Sequence, residues 1–399
     1  MLPEAHQRPM VSPGFSAARR GPARASSGHW HFRPLSGMLR APLPRRTPLL
    51  TDRPNTATEI EPFLSEVKER VDRHLQVYFQ QKRARAAALS APSEELVAAL
   101  DDFTMRGGKR TRPAVLVAGH MAVQESTDLN ALLDACAGLE LLQSYLLVHD
   151  DWMDQDDERR GGTTLHKLFA DRHKDVHLGA SLAILAGDLG NGFAIELVAR
   201  TVMPEANRPR ALEVFWEMQQ DVVWGQALDL IAYQDVALIQ RLKTGSYSVK
   251  GPLLLGAVIG GASPQQQAAL AHWADPVGQA FQVRDDVLGV FGAPEKTGKP
   301  AGNDLRAGKR TVLVEEAEKR VSKAELAALY AVLGKADASE TAVQKAMDLL
   351  EACGARAAVE ARIERLCSEA TEALRLAPLT REGSERLEQL ARKFAYRDR

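Results

Sequence analysis

Two aspartate pairs, each set in an apolar, helix-like stretch, constrain this chain most: His149-Asp150-Asp151-Trp152-Met153-Asp154 and Gln282-Val283-Arg284-Asp285-Asp286. On a helix Asp150 and Asp154 are i and i+4, so both project from one face about 6 Å apart, where like charges on an apolar surface are costly. Glycine-rich breaks follow both motifs, at Gly161-Gly162 and from Gly292 to Pro300, so both sit near helix C-termini. The partial negative charge there adds to the carboxylates and calls for a cation. Hard oxygen donors on one face suit magnesium, which takes one or two carboxylates and fills its shell with water and substrate phosphates. The first motif therefore reads as half of a metal clamp for a diphosphate, and the second as the other half. Acidic helix ends also serve as caps or solvated faces. The cations nearby decide between the readings.

From Thr56 onward the apolar spacing is helical almost throughout. Phe63, Val67, Val71, Leu75 and Tyr78 form one stripe over 61–81, and Ser93-Glu94-Glu95 opens a second helix with Leu96, Val97 and Leu100 inward. Further helices are predicted over 112–125, 128–154, 178–201, 207–230, 235–245, 248–261, 264–292, 311–318, 322–334, 337–353, 355–375 and 380–395. No Asn-Gly type of hairpin signature interrupts them. The expectation is an all-α chain with one large helical domain over 56–399.

Residues 1–55 are different. The first fifty hold eight Arg and eight Pro against one acidic residue, Glu4, which predicts a disordered extension. Arg-rich, acid-poor termini are also seen in organellar transit peptides, although so many prolines oppose an amphipathic helix. Met38 is an alternative start. With 399 residues, 45% hydrophobic content and a net charge of -1, the rest can bury a substantial core and has no electrostatic bias toward nucleic acid. The stretch 178–199 is interrupted by Asp188 and Asn191 and 251–262 is short, so no transmembrane segment is expected. Cys136, Cys353 and Cys367 lack metal-type spacing and fit a reducing, cytoplasmic setting.

Basic residues cluster beside glycine. Lys109, Arg110 and Arg112 follow Gly107-Gly108, Arg159 and Arg160 follow the first acidic motif, and Lys243-Thr244, Lys299 and Lys309 lie beside further glycines. Arginine forks suit phosphate, though each group alone could be a solvated basic turn. His149 and His166 lack partners at zinc spacing and read as structural. No Gly-x-Ser-x-Gly elbow, H-E-x-x-H, P-loop or Rossmann fingerprint is present. Metal-assisted ionisation of a diphosphate needs none of them; it needs an apolar wall that protects a carbocation, which Leu139, Leu142, Tyr145 and Leu146 supply.

In this order the motifs resemble the trans-prenyltransferase, or polyprenyl diphosphate synthase, family: G-G-K-R-x-R-P at 107–113, D-D-x-x-D at 150–154 with Arg159-Arg160-Gly161, Lys243-Thr244, Phe281-Gln282-x-x-Asp285-Asp286, and Thr297-Gly298-Lys299 through Lys309. The resemblance implies helices around a central cavity, a homodimer, and magnesium held by Asp150, Asp154 and Asp285, with Asp151, Asp286 and Lys243 in the catalytic set. It implies that Lys109, Arg112 and Gln143, joined by Arg160, hold isopentenyl diphosphate, while Arg110 is expected to bind substrate as a further cation of the same Gly-Gly turn. Arg159, Lys243, Thr244, Gln282, Lys299 and Lys309 would hold the allylic diphosphate, for a head-to-tail 1'-4 condensation.

The second motif departs from that pattern, because Gly289 stands where a last aspartate is usual. Retention of the surrounding cations argues for tolerance; a non-catalytic subunit is the alternative. A terpene cyclase would not need Lys109 and Arg112. Tyr145 lies about 7.5 Å down the helix from Asp150, so with Leu146 and Leu142 it forms the expected floor for the growing chain. An aromatic at that place resembles the geranylgeranyl (C20) type, with farnesyl diphosphate (C15) the close alternative.

Overall fold

The computed structural model describes residues 57–231, 233–293, 300–375 and 377–396; the extension 1–55 lies outside the described residues. The chain runs through α1 (Ala57–Ala87), α2 (Ala91–Met105), α3 (Thr111–Met121) and α4 (Leu129–Met153), then a hairpin of β1 (Glu158–Arg159) and β2 (Gly162–Thr163). There follow α5 (Leu165–His173), α6 (Val176–Arg200), α7 (Arg208–Leu230), α8 (Val236–Gln240), a π-helical segment (Arg241–Lys250), α9 (Gly251–Ile259) and α10 (Pro264–Phe291). The C-terminal part holds α11 (Asn303–Arg306), α12 (Val312–Glu318), α13 (Lys323–Tyr330), α14 (Glu340–Ala352), α15 (Ala355–Arg375) and α16 (Arg381–Ala395).

Local chemistry sets most boundaries. Ser263 and Ser322 form capping boxes with Gln266 and Glu325, and Asp128, Asp175 and Thr380 cap α4, α6 and α16 through their side-chain oxygens. In α2 the cap is Ser90, three residues before the expected start, with Oγ accepting the Ser93 N–H at 3.2 Å.

α4 is the central helix. Leu139, Leu141 and Leu142 are all fully buried although they point in different directions, as in a helix enclosed by the core. Each such side chain contributes about 1.5–3 kcal/mol relative to exposure. α6 lies against α4 at close range, because a β-carbon at Gly138 would stand 3.1 Å from the Ala194 carbonyl oxygen and one at Gly187 would stand 2.5 Å from the His149 ring. Gly187, Gly190 and Ala194 are thus used in packing within the chain. By length and hydropathy α4 and α6 could each cross a bilayer. Here α4 is core, and α6 packs along one side on α4 and α5.

α3 and α9 approach more closely still. A β-carbon on Gly119 would lie 2.2 Å from the Leu253 carbonyl oxygen, and one on Gly256 would lie 1.9 Å from that of Leu116. This crossing fixes the start of α3, which carries Arg112, against the π segment that carries Lys243.

Three features differ from the sequence expectation. The two helices foreseen over 235–261 are continuous from Val236 to Ile259 through the π segment. α5 and the short α11 were not foreseen. A hairpin does exist, pairing Glu158 with Thr163 and Arg159 with Gly162. Its turn has Arg160 at φ +52° and Gly161 at φ +70°, the two left-handed residues that a type I′ turn needs. Arginine in the place usually taken by Asn or Gly hid the signal.

Candidate active site

The first acidic motif ends α4, with Asp154 as its C-cap. Lys243 Nζ lies 3.3 Å from Asp150 Oδ1 and 2.7 Å from Asp229 Oδ2, so the π segment is clamped to the ends of both α4 and α7. π-turns of this kind are rare and concentrate at functional sites. Gly225 makes the approach possible, because a β-carbon there would stand 2.5 Å from the Lys243 amide nitrogen. Burial opposes the Lys243 charge, but the hydrogen bond to Asp229 and the charge of Asp150 hold the ammonium above its usual range. Asp154 is pushed up by burial and then by Asp150, with Asp229 adding to the effect. Asp229 escaped the sequence reading; the signal available was Gly225-Gln226-Ala227-Leu228-Asp229, one helix ahead of Lys243.

Asp151 points the other way. It is fully buried, its Oδ1 accepts from Arg159, and burial lifts its carboxyl to about 6. It holds Arg159, whose Nη2 also lies 3.7 Å from Asp150. The next residue diverges: Arg160 Nη1 donates to the Gly107 carbonyl at 2.8 Å. The left-handed turn therefore sends two consecutive arginines to two different places, one to the aspartates and one to the Gly107-Gly108 loop.

That loop forms the second cationic group. Arg112 stacks over the Tyr247 ring at 4.2 Å and donates to Ser248 Oγ at 3.0 Å. Gln143 is 8% exposed, and its Oε1 is buried without a hydrogen-bond partner among the described residues. Burial first, and then the nearby Arg110, Arg112 and Arg159, lower the Arg160 guanidinium below its usual range despite Glu140, so positive charge is crowded here. Lys109 is exposed at the loop.

Arg110 requires a correction. Its backbone is left-handed (φ +49°), which turns the side chain inward, and only 3% of the residue is exposed. Its guanidinium donates to Asp72 at 2.7 Å, to Glu140 at 2.7 Å and to the Thr104 carbonyl at 3.1 Å. An arginine committed to two carboxylates and a carbonyl is a structural tie, not a phosphate ligand.

On the other side, Asp285 is partly buried while Asp286 is 5% exposed. Asp286 accepts the Val312 N–H at 3.3 Å, and burial raises its carboxyl to about 6. Asp286 thus braces α10 against the start of α12. Lys309 is exposed with Nζ 3.1 Å from Asp304 Oδ1. Lys299 lies outside the described residues. Partly buried Thr244 sits beside Gly245, whose Cα is 3.6 Å from a β-carbon placed on Gly278 of α10. Asp285 follows two turns further along α10, about 10 Å away.

In the region of the expected floor, the Tyr145 ring meets the His149 ring edge-on at 4.8 Å. Leu142 is fully buried and Leu146 packs on the main core. His149 is structural, with Nε2 3.1 Å from the Ile184 carbonyl.

Among the described residues no three His, Cys, Asp or Glu side chains form a closed metal cage. Separate carboxylates on helix ends, with cations beside them, suit instead a metal whose shell is completed by water and phosphate. Helices that carry paired aspartates and two cationic groups in this way define an isoprenoid synthase fold. Residues 93–350 match the polyprenyl synthetase family, and the chain belongs to it. A short chain isoprenyl diphosphate synthase from Methanocaldococcus jannaschii is 30% identical over 295 residues, 72% of this chain and 83% of that protein. A farnesyl diphosphate synthase from Geobacillus stearothermophilus is 35% identical over 63% of this chain and 82% of that protein. The crystal structure of a geranylgeranyl pyrophosphate synthase from Corynebacterium glutamicum, complexed with isoprenyl diphosphate and magnesium, is 36% identical with a TM-score of 0.74, covering 84% of this chain and 99% of that one. The chain is a prenyltransferase, a short-chain polyprenyl diphosphate synthase.

Proposed function

We propose that residues 56–399 form a magnesium-dependent synthase that joins isopentenyl diphosphate to allylic diphosphates head to tail and releases mainly geranylgeranyl diphosphate. The observation that carries this reading is the divergence of Arg159 and Arg160, which gives one site cations beside the aspartates and the other cations beside Gly107. Two diphosphates can then be held next to each other. Asp150, Asp154 and Asp285 would hold magnesium, which would neutralise the leaving diphosphate. Arg159, Lys243, Thr244, Gln282, Lys299 and Lys309 would bind the allylic diphosphate. Lys109, Arg112, Arg160 and Gln143 would bind isopentenyl diphosphate.

The reaction breaks the allylic C1–O bond, giving an allylic cation and diphosphate. The C3–C4 double bond of isopentenyl diphosphate attacks C1 through C4, and the resulting cation loses a proton from C2 to the released diphosphate. Apolar walls from α4 keep water from the cation. Tyr145 would stop the chain at C20.

The chain would act as a cytoplasmic homodimer. Support comes from exposed apolar residues at heptad spacing on neighbouring helices: Leu178 and Leu185 on α6, and Trp216, Val223 and Leu230 on α7, between 40% and 54% exposed. Purified protein supplied with magnesium, labelled isopentenyl diphosphate and, separately, dimethylallyl, geranyl and farnesyl diphosphates should give a C20 product that Asp150→Ala abolishes. No product from any primer would favour the non-catalytic subunit.

A further inference from the structure

The divergence of Arg159 and Arg160 needs a hairpin that keeps its place, and two strands of two residues each are too short to keep it unaided. One edge is tied to α4, where the Asp156 N–H donates to the Asp151 carbonyl at 2.9 Å and Arg159 donates to the Asp151 side chain. The other edge is held from α2 by Arg106, the C-cap of that helix and the residue before Gly107. Arg106 Nη1 donates to the Thr163 carbonyl at 2.6 Å, while Nε and Nη2 donate to Asp102 Oδ2 at 2.8 and 2.5 Å. The guanidinium lies 5.8 Å from the centre of the buried Phe103 ring and against the backbone of Gly162. Asp102 is 63% exposed, so that ion pair contributes little by itself; its effect is to aim the fork at Thr163. Two arginine bonds thus cross between loop and hairpin in opposite directions. Arg106 reaches β2, and Arg160 in the turn reaches back to the Gly107 carbonyl at 2.8 Å.

We infer that Arg106 is a positioning residue for the condensation: it fixes β2 and so presents Arg160 to isopentenyl diphosphate before substrate arrives. The inference deepens the proposed synthase reading and rests on its assignment of Arg160. The Arg106 fork is itself committed to a carbonyl and a carboxylate, so it acts through Arg160 and not on the diphosphate. A guanidinium already in place spares the cost of ordering a long side chain on binding, which is worth roughly two- to tenfold in affinity. Its loss should therefore appear in KM for isopentenyl diphosphate and leave kcat nearly unchanged, because the bound complex is the same once formed.

The test compares the full chain with Arg106→Met, Arg160→Met and the double variant. Condensation is followed with magnesium, saturating geranyl diphosphate and varied isopentenyl diphosphate, and amide hydrogen exchange is measured over residues 157–164. Arg106→Met should raise KM for isopentenyl diphosphate about fivefold, keep kcat within twofold and speed exchange in the hairpin. In the Arg160→Met background it should raise KM no further, since the side chain it places is gone. Arg106→Lys keeps the charge and the stem beside Phe103; it serves if the methionine variant folds poorly, and should raise KM by a smaller factor. A KM for Arg106→Met within twofold of the parent would overturn the inference and leave the synthase reading intact. So would unchanged exchange, or an equal rise in the Arg160→Met background, as a direct diphosphate ligand would give. Arg160→Met with an unchanged KM would overturn the assignment of Arg160 and the inference with it. A parent that forms no product would overturn the synthase reading, and exchange alone would then decide whether Arg106 holds the hairpin.

Discussion

Replacing Arg110 by methionine separates a structural tie from a phosphate ligand, because the two roles predict opposite results. The Arg110 side chain is 2% exposed and that of Glu140 is 6% exposed, so the substitution leaves a buried carboxylate without its partner. Breaking such a pair by removing one side costs about 3–5 kcal/mol. A domain of this size shifts by somewhat less than the roughly 2–4 °C per kcal/mol typical of 150–250 residues, so the variant should melt roughly 5–15 °C lower. Asp72 contributes little to the loss, since it keeps Lys68 at 2.5 Å and is 21% exposed. The companion variant Arg110→Met/Glu140→Leu removes the orphaned charge and should recover most of the lost stability, as apolar replacements of buried pairs commonly do. Calorimetric melting of the three proteins, beside KM for isopentenyl diphosphate, decides the matter. An Arg110→Met protein that melts within 2 °C of the parent but whose KM rises tenfold or more would refute the structural assignment.

Tyr145→Ala removes the ring, and chromatography of the products should then show chains longer than C20; an unchanged distribution takes Tyr145 out of chain-length control. Gly256→Ala places a methyl group 1.9 Å from the Leu116 carbonyl oxygen in a backbone-to-backbone crossing, so it should destabilise by at least the roughly 1–3 kcal/mol usual for overpacking, read from denaturant unfolding. His120 is held below its ordinary value by burial. Its neutral form is therefore favoured in the folded state, and as pH falls below about 6.5 the unfolded chain takes up the proton first. Stability should decline with falling pH in that window, and His120→Gln should flatten the decline in pH-dependent melting.

Much of the fold is legible because apolar periodicity is a local property. Helices such as α4, α7 and α10 lie within a residue or two of their expected limits, which places Asp150 and Asp154 at the end of α4. What was not legible depends on contacts far apart in sequence or on a single backbone angle. Nothing in Gly-Gly-Lys-Arg-x-Arg tells which basic side chain turns inward; the left-handed φ of Arg110 decides it, with partners 38 and 30 residues away at Asp72 and Glu140. The role of Asp229 depends on the π segment, which has no composition of its own.

These misses share a cause that bears on how the site binds. Lys243 lies against Asp150 and Asp229, and Arg159 against Asp150 and Asp151. Both cations are proposed for the allylic diphosphate, and both lie against Asp150, which is proposed to hold the metal. A metal arriving alone must compete with those cations, and a diphosphate arriving alone must draw them from their carboxylates. Arriving together, the metal takes the carboxylates while the phosphate oxygens take the lysine and arginine, so no charge is left unpaired. Metal and diphosphate should therefore each raise the affinity of the other by the same factor, as linkage requires of two ligands that relieve one set of contacts.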